Sequence, residues 1–224
     1  MNLPPDLPVW QALIGCFVAI AIVKQLFGGL GQNFANPAIV ARIVLMLSFT
    51  SNMTTWSATR FMTDSDAVTG ATPLISGDAS YIDLLIGNTK GCIGEVCSLG
   101  LIIGGVFLIV TRIISPAAPL AFIGIFAALE FIAGNDPIYQ VLSGGLLLCA
   151  FFMATDYVTT PITTKGKFIF GLGCGIITFV IREYGGYPEG ASFAILLMNI
   201  VTPYIDNFTA PKIIGAVKPE KEAK

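Results

Sequence analysis

The feature that most limits this protein is a succession of seven apolar runs: Val9 to about Phe27, Ala38 to about Ser57, Val96 to Ile114, Pro119 to Ala133, Ile138 to about Thr155, Phe168 to Ile181 and Ala191 to Ile205. A helix needs roughly 20 residues to cross a hydrocarbon core of about 30 Å. Runs of this kind predict an all-α integral membrane protein of about seven transmembrane helices, one membrane domain over residues 1–224. Composition agrees, because 12% of residues are charged and 54% apolar, where soluble domains carry about 25% charge. Membrane lipid is therefore a surrounding partner.

Several function classes fall away at once. The net charge of −2, with no basic cluster interleaved with aromatics, argues against a nucleic-acid partner. The sequence has no histidine, which removes Ser-His and Cys-His nucleophiles, imidazole proton shuttles and most zinc or haem sites. No catalytic residue and no metal site is assigned, so chemistry here would have to come from a cofactor. Of five cysteines, Cys16, Cys149 and Cys174 sit in apolar runs as small hydrophobes. Cys92 and Cys97 flank a loop-to-helix junction; unpaired thiols are expected, with a disulfide or half of a four-ligand metal set as the alternatives. The first residues, Met1 to Pro8, form a proline-rich approach with no basic region and no cleavage site, so they are not expected to be a signal peptide.

The breaks between runs carry the organisation. Phe27-Gly28-Gly29-Leu30-Gly31-Gln32-Asn33-Phe34-Ala35-Asn36-Pro37 has too many glycines, with a proline, for a helix interior. Basic residues concentrate on the cytoplasmic side of membrane proteins. With the lysine-rich tail inside, Lys24, Arg42, Arg112, Lys165, Lys167 and four tail lysines are inside, and Arg60, Lys90 and Arg182 outside, a split of nine to three. The interval Thr59 to Glu95 is then an outer loop, on the face that also receives ten of the fourteen acidic residues. Phe27-Gly28-Gly29 followed by Phe34-Ala35 resembles Tyr184-Gly185-Gly186 followed by Phe193-Ala194, on the opposite face. Such a recurrence marks an inverted repeat with glycine-broken helices.

Within the outer loop lies Asp66-Ala67-Val68-Thr69-Gly70-Ala71-Thr72, followed by Pro73. Gly and Pro disfavour helix, and short hydroxyl side chains prefer turns, so the Thr72 hydroxyl is expected to be accessible. A glycine turn capped by a threonine is the plain reading of these residues taken alone. The spacing Asp-x-x-(Ser/Thr)-Gly-Ala-(Ser/Thr), however, resembles the flavinylation motif of the Rnf complexes and the sodium-pumping NADH:quinone reductases. Further stretches resemble the RnfD/NqrB family in order: Lys24 to Asn33, Asn36-Pro37-Ala38, Asp156 to Pro161, Gly171 to Gly175, Ile181 to Gly190, and Met198-Asn199 with Pro203 and Asp206. The likeness is closer to RnfD than to NqrB. Family members have about three more spans before the Leu3-Pro4-Pro5 stretch, so this sequence resembles the later seven of about ten.

That resemblance implies an electron-carrying membrane subunit of an ion-translocating ferredoxin:NAD oxidoreductase, with FMN joined to Thr72 by a phosphoester bond. It makes Asp66, Thr69, Gly70 and Ala71 the motif read by the attaching enzyme, and allows a second, noncovalent flavin, riboflavin. It also implies other Rnf membrane subunits as partners, above all an FMN-carrying RnfG-like subunit, in a prokaryotic cytoplasmic membrane. Ion-pathway candidates are Lys24, Glu130, Asp156 and Asp206, and the amides of Asn33, Asn36 and Asn199 as sodium ligands. An NqrB-like quinone-reductase subunit keeps the flavin but changes the acceptor. A non-redox inverted-repeat transporter explains everything except the Thr72 motif.

Overall fold

In the computed structural model the structure describes residues 2–29, 31–56, 74, 79–185 and 189–211. These residues are helical, with no β-strand among the assigned elements. Helix α1, Val9–Phe17, runs on as a π-helical stretch, Val18–Gln25. Then follow α2, Pro37–Ser48, α3, Thr50–Met53, α4, Tyr81–Ile86, α5, Ser98–Val110, and α6, Ala117–Ala133. Beyond them come α7, Pro137–Leu142, and α8, Leu146–Leu148, which passes into a π-helical turn over Cys149–Met153. The last two helices are α9, Thr164–Tyr184, and α10, Ala191–Thr209.

Among the described residues only Thr164–Tyr184 is by itself long and apolar enough to cross a membrane. Two of the expected spans are interrupted. The run from Ala38 ends its helix at Phe49, whose backbone leaves the helical region, and resumes as the single turn α3. The run from Ile138 breaks at Ser143-Gly144-Gly145, where Gly144 has φ +69°, a conformation open to glycine. Pro203, by contrast, does not stop α10.

Among the described residues many large apolar side chains face outward, and several polar and charged ones are buried within an apolar core. Phe107, Val110, Leu120, Phe131, Ile132, Ile200, Tyr204 and Phe208 are exposed, while Gln11, Arg42, Glu95, Glu130, Thr178, Glu189, Asn199 and Thr202 are buried. A soluble domain seldom combines so much exposed apolar surface with buried charge. The core is built where α6, α9 and α10 meet the π-helical turn, on Phe122, Phe126, Leu146, Phe170, Cys174 and Ile195. Helices α6 and α9 share the most extensive contact. It is close because Gly171 and Gly175 of α9 sit against the backbone of α6 at Ala118 and Phe122, the small-xxx-small device of membrane helix pairs.

Caps follow the sequence. Asn36 starts α2 by accepting from Ala38 N at 3.0 Å, Thr163 starts α9 by accepting from Gly166 N at 3.0 Å, and Asp136 starts α7 by accepting from Ile138 N at 3.0 Å. Asp136 also receives the Tyr81 hydroxyl, tying α4 to α7. That bond raises the Tyr81 pKa and lowers that of Asp136. The tie is therefore present at neutral pH, and is lost as pH falls through the depressed Asp136 value or rises through the raised Tyr81 value.

The two glycine breaks differ locally. Gly28, Gly29 and Gly31 have φ of +116°, +91° and +83°, whereas Gly185 is extended at φ −91°.

Candidate functional site

A lone arginine in an apolar run organises the interior. Arg42 lies on the inward face of α2, 3% exposed, and forms an ion pair with Glu189, which precedes α10. Its guanidinium is 3.9 Å from Glu95, in the loop leading to α5, and donates to the Asn2 side chain. Cys92 Sγ accepts from Arg42 Nη2 at 3.6 Å. One guanidinium thus serves two carboxylates, and Glu95 Oε2 and Glu189 Oε1 are buried with no hydrogen-bond partner. Cys92 Sγ and one carboxylate oxygen from each of Glu95 and Glu189 lie within 4.8 Å of one another. Burial, reinforced by the Glu95 carboxylate, pushes the Cys92 thiol up to about 12, so it is a neutral thiol at physiological pH.

Two glycines border the Glu95 carboxylate. A Cβ at Gly91 would stand 3.1 Å from Oε1, and one at Gly145 3.0 Å from Oε2. Gly145 belongs to the break between α7 and α8, whose carbonyls are held by Arg182. Its Nη1 donates to Gln140 O at 2.7 Å and its Nη2 to Ser143 O at 3.3 Å, with the guanidinium 4.9 Å from the centre of the Phe126 ring. A guanidinium on the orphan carbonyls caps the C-terminal end of a helix. Leu74, two residues after Thr72, packs against Gly144 in the same break.

Thr72, Asp66, Thr69, Gly70 and Ala71 lie outside the described residues. Of the outer-loop interval 59–95, the described part from Thr89 to Glu95 packs inside the bundle, with Thr89, Cys92 and Glu95 buried. All five cysteines are free thiols, with no disulfide between Cys92 and Cys97. Cys97 caps α5, accepting from Gly100 N at 3.4 Å.

The face assigned to Arg42 needs correction. The distribution of basic residues groups it with Arg112 and Lys167 and sets it opposite Glu95 and Glu189, yet it pairs with the latter two. The physical reason is that α2 starts inside the bundle: Asn36 meets Asn199 near the middle of α10. Arg42, six residues beyond Asn36, lies about 9 Å further along the axis. Moving it leaves eight basic residues against four. Arg112 and Lys167 do share one end, where they line a cleft with Tyr157.

The other ion-pathway candidates are dispersed. Glu130 is buried and accepts from Asn135 at 2.9 Å. Asp206 accepts from Ile162 N at 3.0 Å. Asp156 accepts from Thr159 at 3.0 Å within its turn. Lys24 stands in the π-helical stretch. Asn33 donates to Ala35 O at 3.1 Å. Asn199, with its amide oriented to satisfy both neighbours, donates to Thr159 O at 3.2 Å and accepts from Asn36 N at 3.1 Å. Asn199→Leu would orphan the Asn36 N–H, while Thr159 O keeps its bond from Thr202 Oγ1 at 3.0 Å, and is expected to lower stability by about 1–3 kcal/mol. Denaturation of the purified protein in detergent measures it, and a change within error would remove Asn199 from the lattice around α2.

Residues 1–215 match the NQR2, RnfD, RnfE family. The sequence is 49% identical over 232 residues to the D subunit of the Na(+)-translocating ferredoxin:NAD(+) oxidoreductase complex of Acetobacterium woodii, covering 100% of this chain and 72% of the relative. To the D subunit of the proton-translocating ferredoxin:NAD(+) oxidoreductase complex of Clostridium ljungdahlii it is 44% identical over 237 residues, covering 96% and 71%. To the D subunit of the ion-translocating oxidoreductase complex of Halorhodospira halophila it is 37% identical over 260 residues, covering 97% and 73%. A match over nearly the whole length, on a helical bundle that exposes apolar side chains and buries Arg42, Glu95, Glu130 and Glu189, shows that the chain belongs to the NQR2, RnfD, RnfE family.

Proposed function

We propose that this protein is an electron-carrying membrane subunit of an Rnf-type ferredoxin:NAD oxidoreductase, with FMN in phosphoester linkage to Thr72 and electron transfer coupled to movement of a sodium ion or proton. The observation that carries the reading is the Asp66 to Thr72 motif in a sequence 49% identical, over its whole length, to the D subunit of a ferredoxin:NAD(+) oxidoreductase complex. Electron carriage is what a flavin supplies when bound. In this reading the protein's own residues present and hold the attachment point: Asp66, Thr69, Gly70 and Ala71 form the signal read by the attaching enzyme, and Gly70 and Ala71 leave the approach to Thr72 open. Leu74, two residues after Thr72, is seated on Gly144 beside Arg182.

The finer architecture belongs to the same proposal. Seven spans form an inverted-repeat bundle with glycine-broken helices in a prokaryotic cytoplasmic membrane, the Thr72 loop outside and the C-terminus inside. An RnfG-like flavoprotein subunit exchanges electrons with Thr72-linked FMN on that face, and a noncovalent riboflavin is a second carrier. The covalent bond prevents loss of an exposed flavin to the external volume.

Mass spectrometry of the peptide containing Thr72, from protein made in its native host, tests this. The expected result is an added mass equal to FMN less water, absent from Thr72→Ala, whose complex loses electron transfer between ferredoxin and NAD. An unmodified Thr72 in a host that possesses the attaching enzyme would sink the reading.

A further inference from the structure

The strongest unassigned feature is the carboxylate pair under Arg42. Two buried carboxylates share one guanidinium, and each keeps an oxygen, Glu95 Oε2 and Glu189 Oε1, without a donor. Buried carboxylate oxygens without partners are rare because desolvation penalises them heavily. The next charges inward, buried Glu130 and half-buried Arg182, are opposite in sign. Lys90, half-buried, lines the small cavity beside Glu95. The carboxylates approach within 4.8 Å of each other, close enough for one oxygen-coordinated ion, with metal–oxygen distances of about 2.3–2.6 Å, to touch both. Gly145 keeps the space at Glu95 Oε2 free, since a Cβ there would intrude to 3.0 Å. Hard oxygen donors select a hard cation, and Arg42, with Lys90 beside Glu95, already offsets part of the carboxylates' charge, which favours a singly charged ion over a doubly charged one.

We propose that Glu95 and Glu189, held by Arg42 and given room by Gly145, form a binding site for one sodium ion inside the bundle. The inference rests on the ion-translocating reading but not on the flavin. It gives that reading a location: a cation beside the break between α7 and α8, where irregular backbone is tolerated because it is buried in protein.

The test uses the detergent-purified complex carrying this protein and measures bound radioactive sodium, with choline as the replacement cation. Glu95→Gln and Glu189→Gln are each expected to bind one sodium fewer per complex, or to bind it roughly tenfold or more weakly. Gly145→Ala, which keeps every charge but fills the space, is expected to weaken sodium in the same way while the complex still assembles. Glu95→Asp should retain part of the affinity. Thr72→Ala should leave sodium binding unchanged, so failure of the flavin reading and failure of this site are separable. Unchanged sodium stoichiometry and affinity in both Gln variants and in Gly145→Ala would overturn the proposal. So would a wild-type complex whose melting temperature responds to pH but not to sodium, with the response lost in the Gln variants, because the carboxylates would then share a proton.

Discussion

Arg42→Leu is expected to destabilise the folded protein by about 3–5 kcal/mol, the range for removing one partner of a buried ion pair. The guanidinium donates to Glu189 Oε2, stands 3.9 Å from Glu95 Oε2, and also bonds Asn2. Leucine fills much of the volume but leaves two carboxylates facing each other in a protein interior. Arg42→Lys should fall between, since an ammonium keeps the charge but loses the fork that reaches Asn2 and Glu189 together. The decisive comparison is the double variant Arg42→Leu with Glu189→Gln. It should recover a large part of the loss, because the orphaned charge, rather than the missing contact, dominates the penalty. Denaturant or heat titration in detergent reads all three. A single variant within about 1 kcal/mol of wild type would mean that the carboxylates are neutralised by something other than Arg42.

That cluster shows why a sequence gives up some things and withholds others. Apolar runs read as helices because period and composition are local properties, and α6, α9 and α10 stand close to where the runs place them. The caps at Asn36, Asp136 and Thr163 are equally local. The interior charges are not. Glu95 and Glu189 are far apart in the sequence, and each reads singly as a loop residue. Only the fold brings both to Arg42. The sequence does hold one signal: Arg42 lies well inside an apolar run, and an intramembrane cation implies a buried acidic partner. Counting it instead as a flanking residue of the positive-inside kind puts it on the wrong face. The breaks are legible to different degrees. The glycines at 28, 29 and 31 announce an interruption and take left-handed conformations. Ser143-Gly144-Gly145 is hidden because the apolar residues on both sides read as one span. The motif around Thr72 is carried by its spacing alone, and of its surroundings the structure describes Leu74, which packs against Gly144 in the break that borders Glu95.

Gly171→Val is expected to lower stability by about 3 kcal/mol, the upper end of what overpacking a filled core does. A Cβ at Gly171 would stand 2.9 Å from Ala121 Cβ and press on the Ala118 carbonyl, and one at Gly175 would stand 2.8 Å from the Phe122 carbonyl. The carbonyls are backbone atoms of α6, so α9 as a whole must move away, loosening Phe122, Phe126 and Phe170 together. Gly173 provides the contrast on the same helix. Its Cβ would meet Met198 Sδ and Cε at 2.5 Å, the far end of a flexible side chain that can turn aside. Gly173→Ala should therefore change stability by less than about 1 kcal/mol. Gly124 on α6 has open space around it, and Gly124→Ala should be neutral or slightly stabilising, because alanine favours helix by up to about 1 kcal/mol. The order of unfolding midpoints in detergent, with Gly171→Val lowest, Gly173→Ala near wild type and Gly124→Ala at or above it, tests whether the two helices are in backbone contact. Equal midpoints for Gly171→Val and Gly173→Ala would mean that α6 and α9 stand further apart. The break at Ser143 to Gly145 would then lose its fixed wall as well, because Arg182 of α9 stacks on Phe126 of α6 while it holds the carbonyls of Gln140 and Ser143.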